Sequence, residues 1–83
     1  MKEIVLYTTL GCHLCDQAEA MLNHLIDKQL VSGYRLSLIE ISEDDSLLEL
    51  YGIRIPVLAI NNDELGWPFD LTELQSWVNT RQE

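Results

Sequence analysis

The two cysteines of the chain lie three positions apart, in the segment Gly11-Cys12-His13-Leu14-Cys15. A disulfide across so short a loop adds only about 2 kcal/mol of stability in the chain-entropy treatment, so the pair is a poor structural staple. A Cys-x-x-Cys segment in a cytosolic protein indicates thiol–disulfide redox chemistry or half of a zinc site. Because His13 and His24 are the only histidines, a zinc or iron–sulfur site would need ligands from a second chain.

The rest of the composition limits the classes of protein and partner that fit these cysteines. The chain has 83 residues, 47% of them hydrophobic, which suits one domain, residues 1–83, with a buried core. Its formal net charge of −9, from 14 acidic and five basic residues, argues against binding nucleic acid or an anionic membrane. No apolar run approaches the about 18 residues of a membrane span, and no secretory cleavage pattern is present. We therefore expect a monomeric, cytoplasmic protein.

The apolar pattern predicts an α/β fold with seven elements in the order βαβαββα. Apolar and β-branched runs predict strands over residues 3–8, 34–41, 57–60 and 63–67. Helical spacing predicts a first helix over residues 13–31, whose apolar stripe comprises Leu14, Ala18, Met21, Leu22, Leu25 and Ile26. The first two strands should be parallel, and the last two should form an antiparallel hairpin. The expected architecture is a four-stranded mixed sheet flanked by three helices.

Capping and turn residues mark where these elements should end. Gly33 is the candidate C-terminal stop of the first helix. The segment Ser42-x-x-Asp45 predicts the start of a short second helix, which Gly52 ends. Asn61-Asn62 suits the positions of positive φ in the hairpin turn. Asp70-x-x-Glu73 caps the third helix, whose inward-facing residues are predicted to be Leu71, Leu74, Trp77 and Val78.

Three segments carry a resemblance that covers nearly the whole chain. They are Tyr7-Thr8-Thr9-Leu10-Gly11-Cys12-His13-Leu14-Cys15, Arg54-Ile55-Pro56 and Leu65-Gly66-Trp67-Pro68-Phe69-Asp70-Leu71. In this order they resemble the glutaredoxins, which have the thioredoxin fold. The family has a cysteine pair at the first place, a Thr-Val-Pro with a cis proline facing the cysteines at the second, and a glutathione-holding Gly-Gly-x-Asp-Asp at the third. The resemblance implies a thioredoxin-like fold of the glutaredoxin type.

The predicted helix start gives the two cysteines different parts in thiol–disulfide exchange. Cys12 falls at or just before the first turn, where unpaired N–H groups and the helix dipole lower the pKa of a thiol. Cys15 can meet it across that turn, so we expect Cys12 to attack a substrate disulfide and Cys15 to resolve the mixed disulfide. Gly11 and His13 flank the nucleophile as candidates for tuning it. His13, where glutaredoxins commonly have proline, is either a charge favouring the thiolate or a solvent-exposed residue.

The second segment implies the place where a substrate strand would bind. By the resemblance, Pro56 is cis and presents the Ile55 backbone to the substrate; a trans proline at a strand start is the alternative. Arg54 is the one cation expected beside the site. The acidic residues 43–45 follow the second strand and so lie at the same end of the sheet. This environment does not attract anionic glutathione strongly, so a protein disulfide or a partner with a basic surface is an alternative substrate.

The third segment implies a glutathione site made by Gly66, Trp67 and Asp70. Asp70 would meet the amino group of glutathione in addition to capping the third helix. The chain departs from the family here, because Trp67 replaces the second glycine and Phe69 the first aspartate. Thr9 also stands where glutaredoxins usually have a lysine. Both aromatic residues would fill the space for glutathione or pack in the core.

Together these features predict a thiol–disulfide oxidoreductase that reduces disulfides in electron transport. The expected substrate is a disulfide-containing protein or a glutathione mixed disulfide, with glutathione or a reductase supplying the electrons. No bound cofactor or metal is expected, and glutathione would act as a co-substrate. The alternative is a non-enzymatic interaction or redox-sensing module that does not turn glutathione over.

Overall fold

The fold is that of a computed structural model, which describes residues 2–81; Met1, Gln82 and Glu83 of the expected 1–83 domain lie outside the described residues. Its strands are β1 (Lys2–Thr8), β2 (Tyr34–Glu40), β3 (Val57–Ile60) and β4 (Asp63–Gly66). Its α-helices are α1 (His13–Asp27), α2 (Asp45–Tyr51) and α3 (Leu71–Asn79), with a short 3-10 helix at Ile41–Glu43. The predicted order βαβαββα is confirmed.

The four strands form one mixed sheet in the order β2-β1-β3-β4. β1 runs parallel to β2, and Thr8 at its end lies opposite Glu40. β3 pairs antiparallel with β4, as the hairpin prediction required, and it also pairs antiparallel with β1. Consequently the end of β1, the end of β2 and the start of β3 lie at the same edge of the sheet.

The two faces of the sheet carry cores of different size. Ile4 and Leu6 of β1 are fully buried on the face that packs against α1 and α3. The main core on this face comprises Ile4, Leu6, Ala18, Leu22, Leu25, Val31, Tyr34, Leu58, Ile60, Phe69, Leu74 and Val78. The opposite face has a smaller cluster in which Tyr51 of α2 packs with Ile41 and Val57. α1 and α3 thus pack on one face of the sheet. α2 packs on the other face, at the end that carries the loop before β3.

The prediction that α1 continues to Val31 and stops at Gly33 was wrong. The helix ends at Asp27, and Gln29, with a φ of 58°, takes the left-handed position after it. The Leu30 amide donates to the Leu25 carbonyl at 2.9 Å, which closes a Schellman-type ending. Val31 is buried in the main core from outside the helix, and this burial explains why the apolar pattern runs past the true end.

Of two predicted helix caps, one is confirmed and the other is wrong. Asp70 caps α3 as predicted, because its carboxylate accepts the Glu73 amide at 2.7 Å. At α2 the cap is Asp44, which accepts the Ser46 and Leu47 amides, so the prediction of Ser42 was wrong. A 3-10 turn occupies the segment that contains Ser42, because β2 ends at Glu40, one residue earlier than predicted.

Other details of the prediction also need correction. Leu14 is 42% exposed and Leu71 is 37% exposed, so neither faces the core as predicted. Cys15 occupies the buried position at the start of α1 instead, in helical register with Ala18. In the hairpin turn, positive φ falls on Asn61, at 55°.

Candidate active site

The cysteine pair lies at the start of α1, directly after the edge of the sheet. Cys12 is the N-cap of the helix, and its Sγ accepts a hydrogen bond from the Cys15 amide at 3.1 Å. The two residues form a disulfide, with their Cα atoms 5.2 Å apart. Cys12 is half-buried, whereas Cys15 is only 1% exposed. The sulfur nearer the solvent is therefore the one that accepts a backbone amide with no partner inside the helix, at the positive end of α1.

A tight loop of three residues carries the chain from β1 to the first cysteine. The Cys12 amide donates to the Thr9 carbonyl at 3.3 Å, which closes the turn. Gly11, directly before Cys12, has a φ of +82°, in the region that L side chains rarely adopt. A Cβ at Gly11 would meet no atom within 4 Å. The glycine is therefore required by the backbone conformation rather than by close packing.

Glu40, at the end of β2, stabilises this loop by hydrogen bonding to its backbone. One carboxylate oxygen accepts the Leu10 amide at 3.0 Å, and the other accepts the Ser42 amide at 2.9 Å. These bonds, that of the Ser42 amide foremost, and a bond with the Thr9 side chain lower the pKa of Glu40. The sequence analysis missed Glu40. Its place was nevertheless implied by the predicted parallel pairing, because the ends of β1 and β2 must meet.

The loop before β3 brings the predicted proline segment to the same edge. The Ile55–Pro56 peptide bond is cis, and Pro56 is buried. Because Val57 pairs with Tyr7 on β1, Pro56 lies close to the end of the strand that leads to Cys12. The Ile55 amide donates to the Tyr51 carbonyl at 3.1 Å, and the Pro56 carbonyl accepts the Trp67 amide at 3.2 Å. The second and third predicted segments are thus joined by their backbones.

Arg54, the one cation expected beside the site, lies in this loop, and its charge is already paired. Its guanidinium forms an ion pair with Glu64 at 2.8 Å and lies over the Tyr51 ring at 5.2 Å. The Tyr51 hydroxyl donates to Glu64 at 2.6 Å, and its ring stacks on Tyr7. This hydrogen bond and that of Arg54 lower the pKa of Glu64, whereas the contact with Glu64 raises the pKa of Tyr51.

The side chains of the third predicted segment mainly pack against other parts of the protein. Trp67 and Phe69 meet edge to face, with ring centroids 5.0 Å apart, and both pack against the main core. The sequence analysis did not foresee that Trp67–Pro68 is also a cis peptide. Asp70 uses its carboxylate as the cap of α3. At Gly66 a Cβ would meet nothing within 4 Å, so the protein's own packing does not demand glycine there.

The remaining predicted residue, His13, is the first residue of α1 and is exposed. Across residues 2–81, no group of three or more His, Cys, Asp or Glu side chains is arranged to hold a metal ion. Within the same range, no helix is long and apolar enough to cross a membrane. The site consists of the cysteine pair, the Glu40-fastened loop and the proline loop at one edge of the sheet.

Comparison with known proteins places this arrangement in a family. The family model of the Glutaredoxin-like domain (DUF836) matches residues 3–79. A search of curated proteins found no significant match. The crystal structure of protein XcR50 from X. campestris is 36% identical over 95% of this chain and 99% of its own, with a TM-score of 0.79. Protein Ne2328 from Nitrosomonas europaea is 35% identical over 93% of this chain and 91% of its own, with a TM-score of 0.73.

A more distant neighbour shows the wider fold. A thioredoxin from Halobacterium salinarum, 18% identical, covers 98% of this chain and 74% of its own, with a TM-score of 0.72. The fold is therefore thioredoxin-like, and its cysteine pair at disulfide distance suggests a thiol–disulfide redox function. From the family match over residues 3–79 and the 36% identity to XcR50, the chain belongs to the glutaredoxin-like domain family.

Proposed function

We propose that this protein is a dithiol–disulfide oxidoreductase that reduces disulfides in other proteins. The supporting observation is the difference between the two sulfurs. The Cys12 Sγ caps α1 and accepts the Cys15 amide, whereas Cys15 is buried beside it within disulfide distance. A thiolate is stabilised at such a helix start, and a buried neighbour is placed to displace whatever binds to it.

The reaction follows from this arrangement in two exchanges. The Cys12 thiolate attacks one sulfur of the substrate disulfide, forming a Cys12–substrate disulfide and releasing the other substrate sulfur as a thiolate. Cys15, after losing its proton, attacks the Cys12 sulfur, which forms the Cys12–Cys15 disulfide and frees the second substrate thiolate. The two thiolates take up two protons. The protein loses two electrons, the substrate gains them, and a thiol reductant must then restore the pair.

The proline loop gives a substrate strand one place to bind. Since the Ile55 amide already donates to Tyr51, the Ile55 carbonyl is the backbone group that a substrate N–H would meet. By the family resemblance, Pro56 would present this carbonyl to the substrate beside the cysteines. Gly66 leaves room next to the same loop, because no neighbouring atom lies where a side chain would begin.

Glutathione is the co-substrate that the family resemblance implies, and the paired charges at the site make it the weaker candidate. Arg54 is held by Glu64, and Asp70 is held by its own helix. Trp67 and Phe69 fill their part of the segment with aromatic packing. A protein disulfide, which binds through its backbone and does not depend on a free cation, fits better. A cytoplasmic setting, with a reductase as electron donor, is the expected context.

The test is the reduction of insulin disulfides with dithiothreitol as electron donor, comparing wild type with Cys12→Ser and Cys15→Ser. We expect Cys12→Ser to lose the protein-dependent rate entirely, because the cysteine that remains, Cys15, is buried. Cys15→Ser, reduced beforehand and mixed with substrate after removal of dithiothreitol, should accumulate a covalent Cys12–substrate adduct, visible by mass spectrometry, because no second cysteine resolves it. The two variants carry the same substitution on the same helix and control for each other. A wild type that reduces no disulfide would instead support the interaction-module alternative.

A second arm of the assay compares electron donors. Thioredoxin reductase should support faster turnover than glutathione with glutathione reductase. Turnover with glutathione alone would contradict the preference for a dithiol donor and leave the assignment of Cys12 and Cys15 intact.

A further inference from the structure

A groove of about 300 Å³ opens beside the nucleophile on the β2 side of the sheet. Its lining comprises the end of β1 at Thr8, the loop of residues 9–11, Asp16 and Glu19 of α1, and Leu38 and Glu40 of β2. Since β1 lies between β2 and β3 in the sheet, this groove and the proline loop flank Cys12 from opposite sides. A substrate reaching Cys12 can therefore contact both.

The groove offers apolar surface to a partner. Leu10, at the tip of the loop before the nucleophile, is 92% exposed, and Leu38 on β2 is 50% exposed. A single exposed leucine needs no explanation in a soluble protein. Here two exposed leucines line the same groove, and Leu10 is only two residues from Cys12. Together they provide a contact surface for an apolar side chain.

The groove also carries uncompensated negative charge. Asp16 and Glu19 form no ion pair within residues 2–81, and no Lys or Arg lines the groove. Glu40 is occupied by backbone amides. The cations are engaged or lie elsewhere: Arg35 with Glu3, Arg54 with Glu64, Arg81 with Asp63, Lys2 on the Arg81 carbonyl, and Lys28 at the far end of α1. The potential in the groove is therefore negative.

We propose that this groove binds the segment of a substrate protein next to its disulfide, and that it selects a segment with a lysine or arginine beside an apolar residue. The cation would pair with Asp16 and Glu19, and the apolar side chain would rest on Leu10 and Leu38. The proposal rests on the proposed disulfide reductase function and names its substrate class. Charge complementarity at this position speeds encounter and fixes the direction in which the disulfide meets Cys12.

The test uses two synthetic peptides with the same internal disulfide, one flanked by Lys-Leu and the other by Glu-Leu. The measured quantity is the ratio of their kcat/KM values at low ionic strength. Wild type should favour the lysine peptide by roughly tenfold. The double variant Asp16→Asn/Glu19→Gln should bring the ratio close to one. Taking the ratio cancels any effect of Asp16 on the reactivity of Cys12 itself.

The matched control is Asp27→Asn/Glu49→Gln, which removes the same charge from exposed residues outside the groove, one of them at the far end of α1. Its ratio should stay close to that of wild type. An equal fall in both double variants would overturn the proposal in favour of overall charge, and a wild-type ratio near one would overturn it outright. The uncharged bis(2-hydroxyethyl) disulfide separates the groove proposal from the reductase proposal. If wild type does not reduce this compound, the reductase function is refuted rather than the groove.

Discussion

At the scale of single residues, Glu40 determines how the loop before Cys12 is held. Its two carboxylate oxygens join the loop before Cys12 to the turn that follows β2. No motif in the sequence marks this role, because it depends on which residue of β2 ends opposite Thr8. Glu40 is a positioning residue, since its partners are Leu10 and Ser42 and not the sulfur itself.

Substitution of Glu40 by glutamine tests this role through pH. Because the pKa of Glu40 is lowered from its ordinary value of 4.5, the ionised carboxylate adds stability above that value. This stability is lost as the pH falls through the lower, folded-state pKa. Glu40→Gln should therefore be less stable than wild type at neutral pH, and the two should converge in acid.

Urea unfolding at a series of pH values measures this difference. Glu43→Gln, three residues along and exposed, is the control and should keep the wild-type pH dependence. Parallel curves for wild type and Glu40→Gln across the acidic range would contradict the assigned role.

At the scale of elements, the order of strands and helices was readable from the sequence, whereas their ends were not. Buried runs such as 57–60 and the helical spacing of Ala18, Leu22 and Leu25 are set by the core, so they leave a strong pattern. The ends depend on single hydrogen bonds. Gln29 takes the left-handed conformation at a position where glycine is usual, so the residue type did not indicate the end of α1.

The same distinction applies to the site. The position of Cys12 at the start of α1 followed from local sequence, because the N-cap is fixed by the residues next to it. The pairing of Arg54 with Glu64 did not, because it requires the register of β4 and the orientation of Tyr51. Contacts between distant segments carry no local signal in one sequence.

The cap of α2 gives a prediction at this scale. Asp44 accepts two backbone amides at the start of a helix of only seven residues. Replacing it by alanine should lower the free energy of unfolding by about 1 kcal/mol, because those amides lose their acceptor. Urea unfolding is the measurement. Asp45→Ala, at the adjacent acidic residue inside the helix, should cost less, and an equal loss in both variants would show that charge rather than capping matters.

At the scale of the whole molecule, the charges are unevenly paired. The chain has a net charge of −9, and the three ion pairs found in residues 2–81 use the cations Arg35, Arg54 and Arg81. Many carboxylates are left to repel one another, and exposed ion pairs contribute little stability. Repulsion should therefore outweigh attraction in the folded state.

Sodium chloride should consequently stabilise the protein by screening this repulsion. A gain of about 1 kcal/mol would raise Tm by about 4–8 °C for a domain of this size. Thermal unfolding followed by circular dichroism at low and moderate salt is the measurement. Glu43→Gln/Glu49→Gln, with less repulsion to screen, should gain less. A fall in Tm with added salt would mean that the ion pairs dominate.

The unequal access of solvent to the two sulfurs has a consequence for oxidative damage. Cys15 is 1% exposed, so hydrogen peroxide reaches the reduced pair through Cys12. There the thiolate becomes a sulfenic acid and hydroxide leaves. The adjacent Cys15 thiol condenses with the sulfenic acid, releasing water and forming the same disulfide that the proposed reaction produces. The buried cysteine thereby intercepts its neighbour before the irreversible sulfinic and sulfonic stages, and a reductant can restore the protein after an encounter with peroxide.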